Sequence, residues 1–349
     1  MFLTDPAPAA ALTPDEIALY DRQIRLWGQD MQLRLRATKV LVINLGALAT
    51  EIVKNLVLGG IHSLEILDAS TVREGDFATQ FFLPADAQAA QLKLPLVRAG
   101  IRKLNPRVNL SICTDTLESK GPEYWRRFDL VVATELTRAQ FLKLNDATRA
   151  LRLPLYVTGL HGLFAYVLAD LIEHRSTKDH EFGNQPRKAG TAINAVKKIV
   201  HVDPKPADLK ETVTIVDTYV PLRDMFSSKK LRQQLRQRQL NKLSGALPLI
   251  FALFDIPRPA DSEALVDVDL LKKRLIEVCT ALDLPPDIVS PEYTELFSRN
   301  AYAEFAPSAA IVGGMVAQDV IQYLGGKDSP INNCMIFDGH RFEVPIYYL

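Results

Sequence analysis

Between Thr13 and Trp27 the apolar residues Ile17, Tyr20, Ile24 and Trp27 recur every three or four positions, which places them along one side of a helix. Thr13-Pro14-Asp15-Glu16 predicts how that helix begins, with a hydroxyl at the N-cap, proline at the first helical position and a glutamate completing a capping box. From Lys39 the pattern changes to a run of apolar residues through Leu45, as in a strand buried on both faces. A tight turn over Gly46-Ala-Leu-Ala49 leads into a helix from Thr50 to Leu58, with Ile52, Val53, Leu56 and Val57 on one face and Gly59-Gly60 ending it. Ser63 to Asp68 is a second strand closed by an acid, and together these segments make a βαβ unit.

The alternation continues with a helix over 91–104, strands over 108–113 and 129–134, a helix over 138–151 and a strand over 154–158. Such a series predicts an α/β fold with a doubly wound, mostly parallel, Rossmann-like sheet. After Gly159 the pattern differs: 163–172 and 211–220 read as antiparallel strands, and the polar, aperiodic stretch between them reads as a long loop. The expected organisation is a flexible terminus (1–12), a Rossmann-like region (13–173), a loop insertion (174–210), a returning strand (211–226), a helical insertion (227–304) and a closing helix with strands (305–349).

Composition narrows the function. Lys plus Arg equals Asp plus Glu at 41 each, which gives no global attraction to nucleic acid or to an anionic membrane. No stretch of about 18 apolar residues is present to predict a membrane span. The opening residues lack the basic and apolar regions of a secretory signal, so a soluble intracellular protein is expected. Cys113, Cys279 and Cys334 are too dispersed for a disulfide framework or a Cys-rich zinc site.

The first candidate for chemistry is the turn after the first strand. A nucleotide-binding turn takes the form G-x-G-x-x-G, and here the three positions hold Asn44, Gly46 and Ala49. Only the middle glycine remains, so the cradle for phosphate is impaired even though the following helix N-terminus still attracts anions. Asp68, 22 residues after Gly46, stands where a ribose-binding acid would. A scaffold with a decayed site is favoured over a live one.

The second candidate is Tyr20-Asp-Arg-Gln-Ile-Arg-Leu-Trp-Gly28. This segment, followed by Lys39-Val-Leu-Val-Ile-Asn-Leu-Gly46, resembles the opening of the E1 superfamily, the activating enzymes of ubiquitin-like proteins. That superfamily includes the bacterial MoeB and ThiF adenylyltransferases. The resemblance extends through Gln80-Phe-Phe82, Leu104-Asn-Pro106, Asp129-Leu-Val-Val132, Gly159-Leu-His-Gly162, Phe305-Ala-Pro307, Gly313-Gly314, Gln318-Asp319, Asn332-Asn333 and Phe337-Asp-Gly339. Length and the closing segment are most similar to the smaller, non-thioester subunits of E1 enzymes that activate SUMO. The equivalent NEDD8-specific subunits carry a longer helical insertion. A self-sufficient homodimeric adenylyltransferase would keep its glycine turn and an aspartate–asparagine magnesium pair.

The departures from the family pattern carry as much information as the matches. The resemblance implies that an active site of this kind has a full glycine turn, an arginine where Thr79 stands, a lysine at Lys93 and a magnesium-binding aspartate where Glu135 stands. Gly46, Asp68 and Lys93 are therefore expected as vestiges, with no cofactor held by this chain. ATP, Mg²⁺ and the reactive cysteine are expected on a larger partner subunit, with SUMO engaged through the complex and residence mainly in the nucleus.

Spacing alone makes Arg22 an ordinary surface arginine paired with Asp21 or Glu16. The resemblance instead implies that Arg22 reaches across the dimer interface into the partner's nucleotide site. Arg25 is expected to be structural.

Three further features remain. The basic segment 229–242 reads as one solvated helix face, with Leu231, Leu235 and Leu243 on its other side. Cys113 and Cys279 read as small core residues, and Cys334 as one beside a closing strand, so no nucleophile is assigned. In the closing helix Gly313 and Gly314 fit close packing against either the sheet or a partner.

Overall fold

A computed structural model of the chain describes residues 11–183, 186–240, 242–259 and 264–349. Most of the segment expected to be flexible, 1–12, therefore lies outside the described residues.

The centre is an eight-stranded sheet. Its parallel part is formed by β1 (Lys39–Ile43), β2 (Ser63–Leu67), β3 (Asn109–Cys113), β4 (Leu130–Thr134) and β5 (Leu155–His161). β1 lies in the middle, paired in parallel with β2 on one side and β4 on the other. β6 (Phe164–Asp170) turns back antiparallel on β5. Next come β7 (Glu173–Glu181), β8 (Lys197–Lys205) and β9 (Lys210–Thr218), and finally β10 (Cys334–Asp338) and β11 (Ile346–Tyr347), which extend the main sheet antiparallel beyond β6.

Each central strand is covered on both faces, and alternate residues serve different cores. Val40 and Val42 point with Leu64, Ile66, Leu130 and Val132 toward the Ala47–Gly59, Lys93–Leu104 and Ala306–Gly325 helices. Leu41 and Ile43 point with Val131 and Ala133 toward the opposite layer, where the helices between 222 and 300 sit. The helical insertion thus shares the sheet's own core. Its Ala246–Leu253 helix is buried along its whole length, which is why its sequence is apolar all round.

Several sequence expectations are corrected. The stretch 174–210 is not one long loop, and the strand expected at 211–226 does not return to the main sheet: β7 and β8 flank β9 in a separate three-stranded antiparallel sheet. The inward residues of β7 are His174 and Ser176, so the strand has no apolar alternation to betray it. The basic segment 229–242 is not one helix but two short ones, Lys230–Gln234 and Gln237–Leu240. Leu235 adopts an extended backbone between them, and Lys230 donates to the Leu349 carbonyl at 3.0 Å. Asn241 lies outside the described residues.

The N-terminal helix forms with the expected capping box: the Glu16 amide donates to Thr13 Oγ1 at 3.2 Å and the Thr13 amide to Glu16 Oε2 at 2.8 Å. It is interrupted at Tyr20, giving helices Pro14–Leu19 and Asp21–Trp27. Tyr20 is buried, its hydroxyl accepting from Asn105 Nδ2 at 2.8 Å. Its ring lies against Gly60, where a Cβ would stand 2.6 Å from the ring, and Gly60 has φ +79°, a conformation that glycine adopts without penalty.

Candidate functional site

The turn between β1 and the Ala47–Gly59 helix is built from the residues that the sequence singled out. Asn44 takes a left-handed backbone conformation, φ 62°, tolerated by asparagine. Its side-chain amide donates to the Thr134 carbonyl at 2.8 Å, tying the end of β1 to the end of β4. Ala49 is fully buried inside the helix. Asn44 thus adds a cross-link between strands where the G-x-G-x-x-G form has open space.

The vestigial polar residues converge on Leu45. Asp68, buried, accepts from the Leu45 amide at 2.9 Å and from the Ser70 amide at 2.7 Å. Lys93 is fully buried, pairing with Asp76 at 2.9 Å and donating to the Leu45 carbonyl at 3.4 Å. Gln80 donates to the same carbonyl at 3.2 Å. Asp68 and Lys93 therefore hold the turn in shape, and their hydrogen bonds go to the chain itself. Asp76, which neutralises Lys93, carries no signal in the sequence, because a 17-residue separation fits neither a helical nor a strand period.

At the end of β4, Glu135 has φ 55° and is partly buried, with Oε1 accepting from the Leu160 amide at 2.8 Å. Burial, and next the charge of Glu304, push its carboxyl up to about 7. Glu304 reaches the same place from the far end of the helical insertion and accepts from Ala47 and Thr79. Nothing in the sequence pattern marked Glu304, since it lies 257 residues from its backbone partner. Nearby, His161 accepts the Tyr302 amide at Nδ1 at 3.1 Å, and burial drives its pKa down to about 3.

Arg22 lies apart from all of this. The helix carrying it is fixed on one side by Tyr20 and on the other by Gln23, which donates to the Leu58 carbonyl at 3.1 Å. Both anchors are at the C-terminal end of the 13-residue Ala47–Gly59 helix, whose N-terminal end is the turn. At about 1.5 Å per residue the helix spans about 20 Å, beyond the reach of any side chain. Arg22 is exposed and forms no ion pair among the described residues. The partners that spacing offered it are taken: Asp21 pairs with Arg25 at 3.0 Å and Glu16 with Arg36 at 3.0 Å.

Other candidates resolve more simply. Cys279 and Cys334 are buried, and desolvation raises both thiols, Cys279 to about 11. A raised pKa disfavours the thiolate that a nucleophile needs. Cys113 is half-buried on the edge strand β3, less covered than the sequence implied, and its Sγ donates to Asp115 at 3.5 Å. Gly313 is buried, and a Cβ there would meet the Cβ of Glu51 at 2.6 Å, whereas one on Gly314 would meet nothing within 4 Å. The first glycine thus serves helix packing and the second faces outward. Among the described residues no helix is long and apolar enough to cross a membrane.

A doubly wound sheet with an antiparallel extension, opened by an anchored Tyr-Asp-Arg-Gln helix and an altered glycine turn, defines an adenylation-type fold of the E1 class. The ThiF family model matches residues 20–347, and the chain belongs to that family. Among characterised proteins it is 40% identical to the DNA damage tolerance protein RHC31 of Saccharomyces cerevisiae, over 96% of this chain and 97% of that protein. It is 31% identical to the DNA damage tolerance protein rad31 of Schizosaccharomyces pombe, over 97% and 98%. With the SUMO-activating enzyme subunit 1 of Homo sapiens it shares 29% identity over 95% of this chain and 94% of that protein.

Proposed function

We propose that this chain is the smaller, non-thioester subunit of a heterodimeric E1 that activates SUMO. It supplies an adenylation-like half without a working nucleotide site and donates Arg22 to the ATP site of a larger partner. The partner holds ATP and Mg²⁺ and carries the catalytic cysteine, and the complex works mainly in the nucleus. End-to-end similarity to SUMO-activating enzyme subunit 1 supports the subunit assignment.

One observation carries the proposed role of Arg22: it is exposed, without an ion-pair partner among the described residues, on a firmly anchored helix about 20 Å of helix away from its own chain's turn. In adenylation a carboxylate attacks the α-phosphate and pyrophosphate leaves, so negative charge builds on the leaving group. A guanidinium presented by a docked helix stabilises that charge with little loss of ordering entropy. The surface for the partner is assigned to the open side of the Ala306–Gly325 helix, where Ala310 and Ile311 are exposed, together with exposed Phe77 and Phe81 beside its N-terminal end.

The test is SUMO-dependent ATP–pyrophosphate exchange by the reconstituted heterodimer. Arg22→Ala is expected to leave the dimer intact on gel filtration and slow exchange by about 10²-fold or more, the scale for losing one placed charge stabiliser. Arg22→Lys recovers little, because the planar two-pronged contact is lost. Arg25→Ala, which breaks only an exposed pair with Asp21, has a much smaller effect. Exchange at the wild-type rate in Arg22→Ala would remove the in-trans role.

A further inference from the structure

The anion position at the N-terminus of the Ala47–Gly59 helix is filled, and by the chain itself. The first amides of a helix have no partner within it and carry partial positive charge, which is why phosphates bind there. Here Glu304 Oε1 accepts the Ala47 amide at 3.3 Å, and Oε2 accepts the Thr79 hydroxyl at 2.9 Å. Gly46 makes the approach possible, since a Cβ at that position would stand 2.7 Å from Oε1.

Three other observations bear on the same spot. Glu135 closes it from the β4 side, its Cγ 3.9 Å from the same Cβ position. Gln80 is 97% buried with Oε1 lacking a hydrogen bond among the described residues, and it lines a cleft with Ala47, Phe77 and Thr79. Glu304 itself lies on the short link between the Pro291–Asn300 and Ala306–Gly325 helices, so its position is set by two packed elements.

We propose that Glu304 is an internal stand-in for a phosphate. Its carboxylate supplies negative charge and acceptor oxygens where a nucleotide phosphate would place them, and it is the determinant that closes this turn to phosphate and pyrophosphate. The altered glycine positions weaken the cradle, and Glu304 occupies what remains. This deepens the proposed absence of a working nucleotide site, and its test separates the two.

Inorganic pyrophosphate, without Mg²⁺, is titrated into the full chain at constant ionic strength, with sulfate as a second anion. Binding is read by calorimetry and by the shift in melting temperature. The unaltered chain binds pyrophosphate only weakly. Glu304→Ala opens the position and binds pyrophosphate at least about tenfold more tightly than the unaltered chain, by the 1.4 kcal/mol per tenfold relation. Glu304→Gln keeps the space filled and stays within about threefold of the unaltered chain. Glu304→Ser serves where the alanine variant does not melt cooperatively. A folded Glu304→Ala or Glu304→Ser chain that binds no better than the unaltered one overturns the proposal, as does equal affinity in Glu304→Gln and Glu304→Ala. Micromolar ATP binding by the unaltered chain removes the decayed-site reading as well, whereas silent variants remove only the role of Glu304.

Discussion

At the residue scale, Glu135 gives the chain a pH signature. Its carboxyl titrates at about 7 in the folded chain against 4.5 unperturbed. Between those values the folded chain keeps a proton that the unfolded chain has released, so stability falls as pH rises through the window. The loss is complete above about pH 7 and amounts to about 3 kcal/mol at most, at ~1.4 kcal/mol per pH unit. His161 acts in the opposite sense: held near 3 against 6.5, it makes stability rise with pH between those values. Glu135→Gln retains an acceptor for the Leu160 amide and isolates the carboxyl's contribution. Urea unfolding at several pH values should show Glu135→Gln gaining on wild type from about pH 4.5 to about pH 7, with a constant difference above. A difference independent of pH would show that this carboxyl titrates normally. Glu135 was visible in the sequence only as a misplaced magnesium ligand. Its burial and its neighbour Glu304 come from distant parts of the chain, which no local pattern reports.

At the element scale, the closing helix makes two demands that its paired glycines answer separately. Gly313→Ala forces a Cβ to 2.6 Å from the Cβ of Glu51 on the adjacent helix. It should destabilise the chain by about 1–3 kcal/mol, the range for overpacking. Gly314→Ala meets open space and should stabilise the isolated chain by about 0.5–1 kcal/mol through helix propensity. Thermal denaturation of the two variants reads the contrast, and equal effects would contradict the packing geometry. On the outward side, Ile311→Asp should leave the chain's own melting within about 0.5 kcal/mol but prevent co-purification with the larger subunit. A stable complex with that variant would place the interface elsewhere.

Elements with a strong period were legible: β1 to β6 and the long helices Ala47–Gly59, Lys93–Leu104 and Arg138–Ala150 fall within a few residues of where the apolar pattern places them, whereas the short Asp76–Thr79 and Pro122–Trp125 helices were not foreseen. β7 was hidden because its inward positions are polar, and β8 is a largely exposed edge strand that tolerates Pro204 within it. The break at Tyr20 was hidden because a continuous helical spacing does not report that one of its members plugs against Gly60. Of the candidate site, the altered turn around Asn44 and Gly46 was legible, as was the exposure of Arg22. The contacts that close the turn, Asp76 with Lys93 and Glu304 with Thr79, were not, because each joins residues without a shared period.

At the scale of the whole molecule, the two ends of one helix separate two tasks. The N-terminal end carries an altered turn sealed by the chain's own carboxylate, and the C-terminal end anchors the helix that presents Arg22. Under the proposed function, a chain so arranged would not run adenylation alone and would contribute to a site that another chain completes. SUMO-dependent ATP–pyrophosphate exchange tests this most directly, measured on the isolated chain, on the larger subunit alone and on their 1:1 mixture. The account predicts exchange only when both subunits are present, with none from this chain by itself at any concentration. Exchange catalysed by this chain alone, as a homodimer or a monomer, would contradict it.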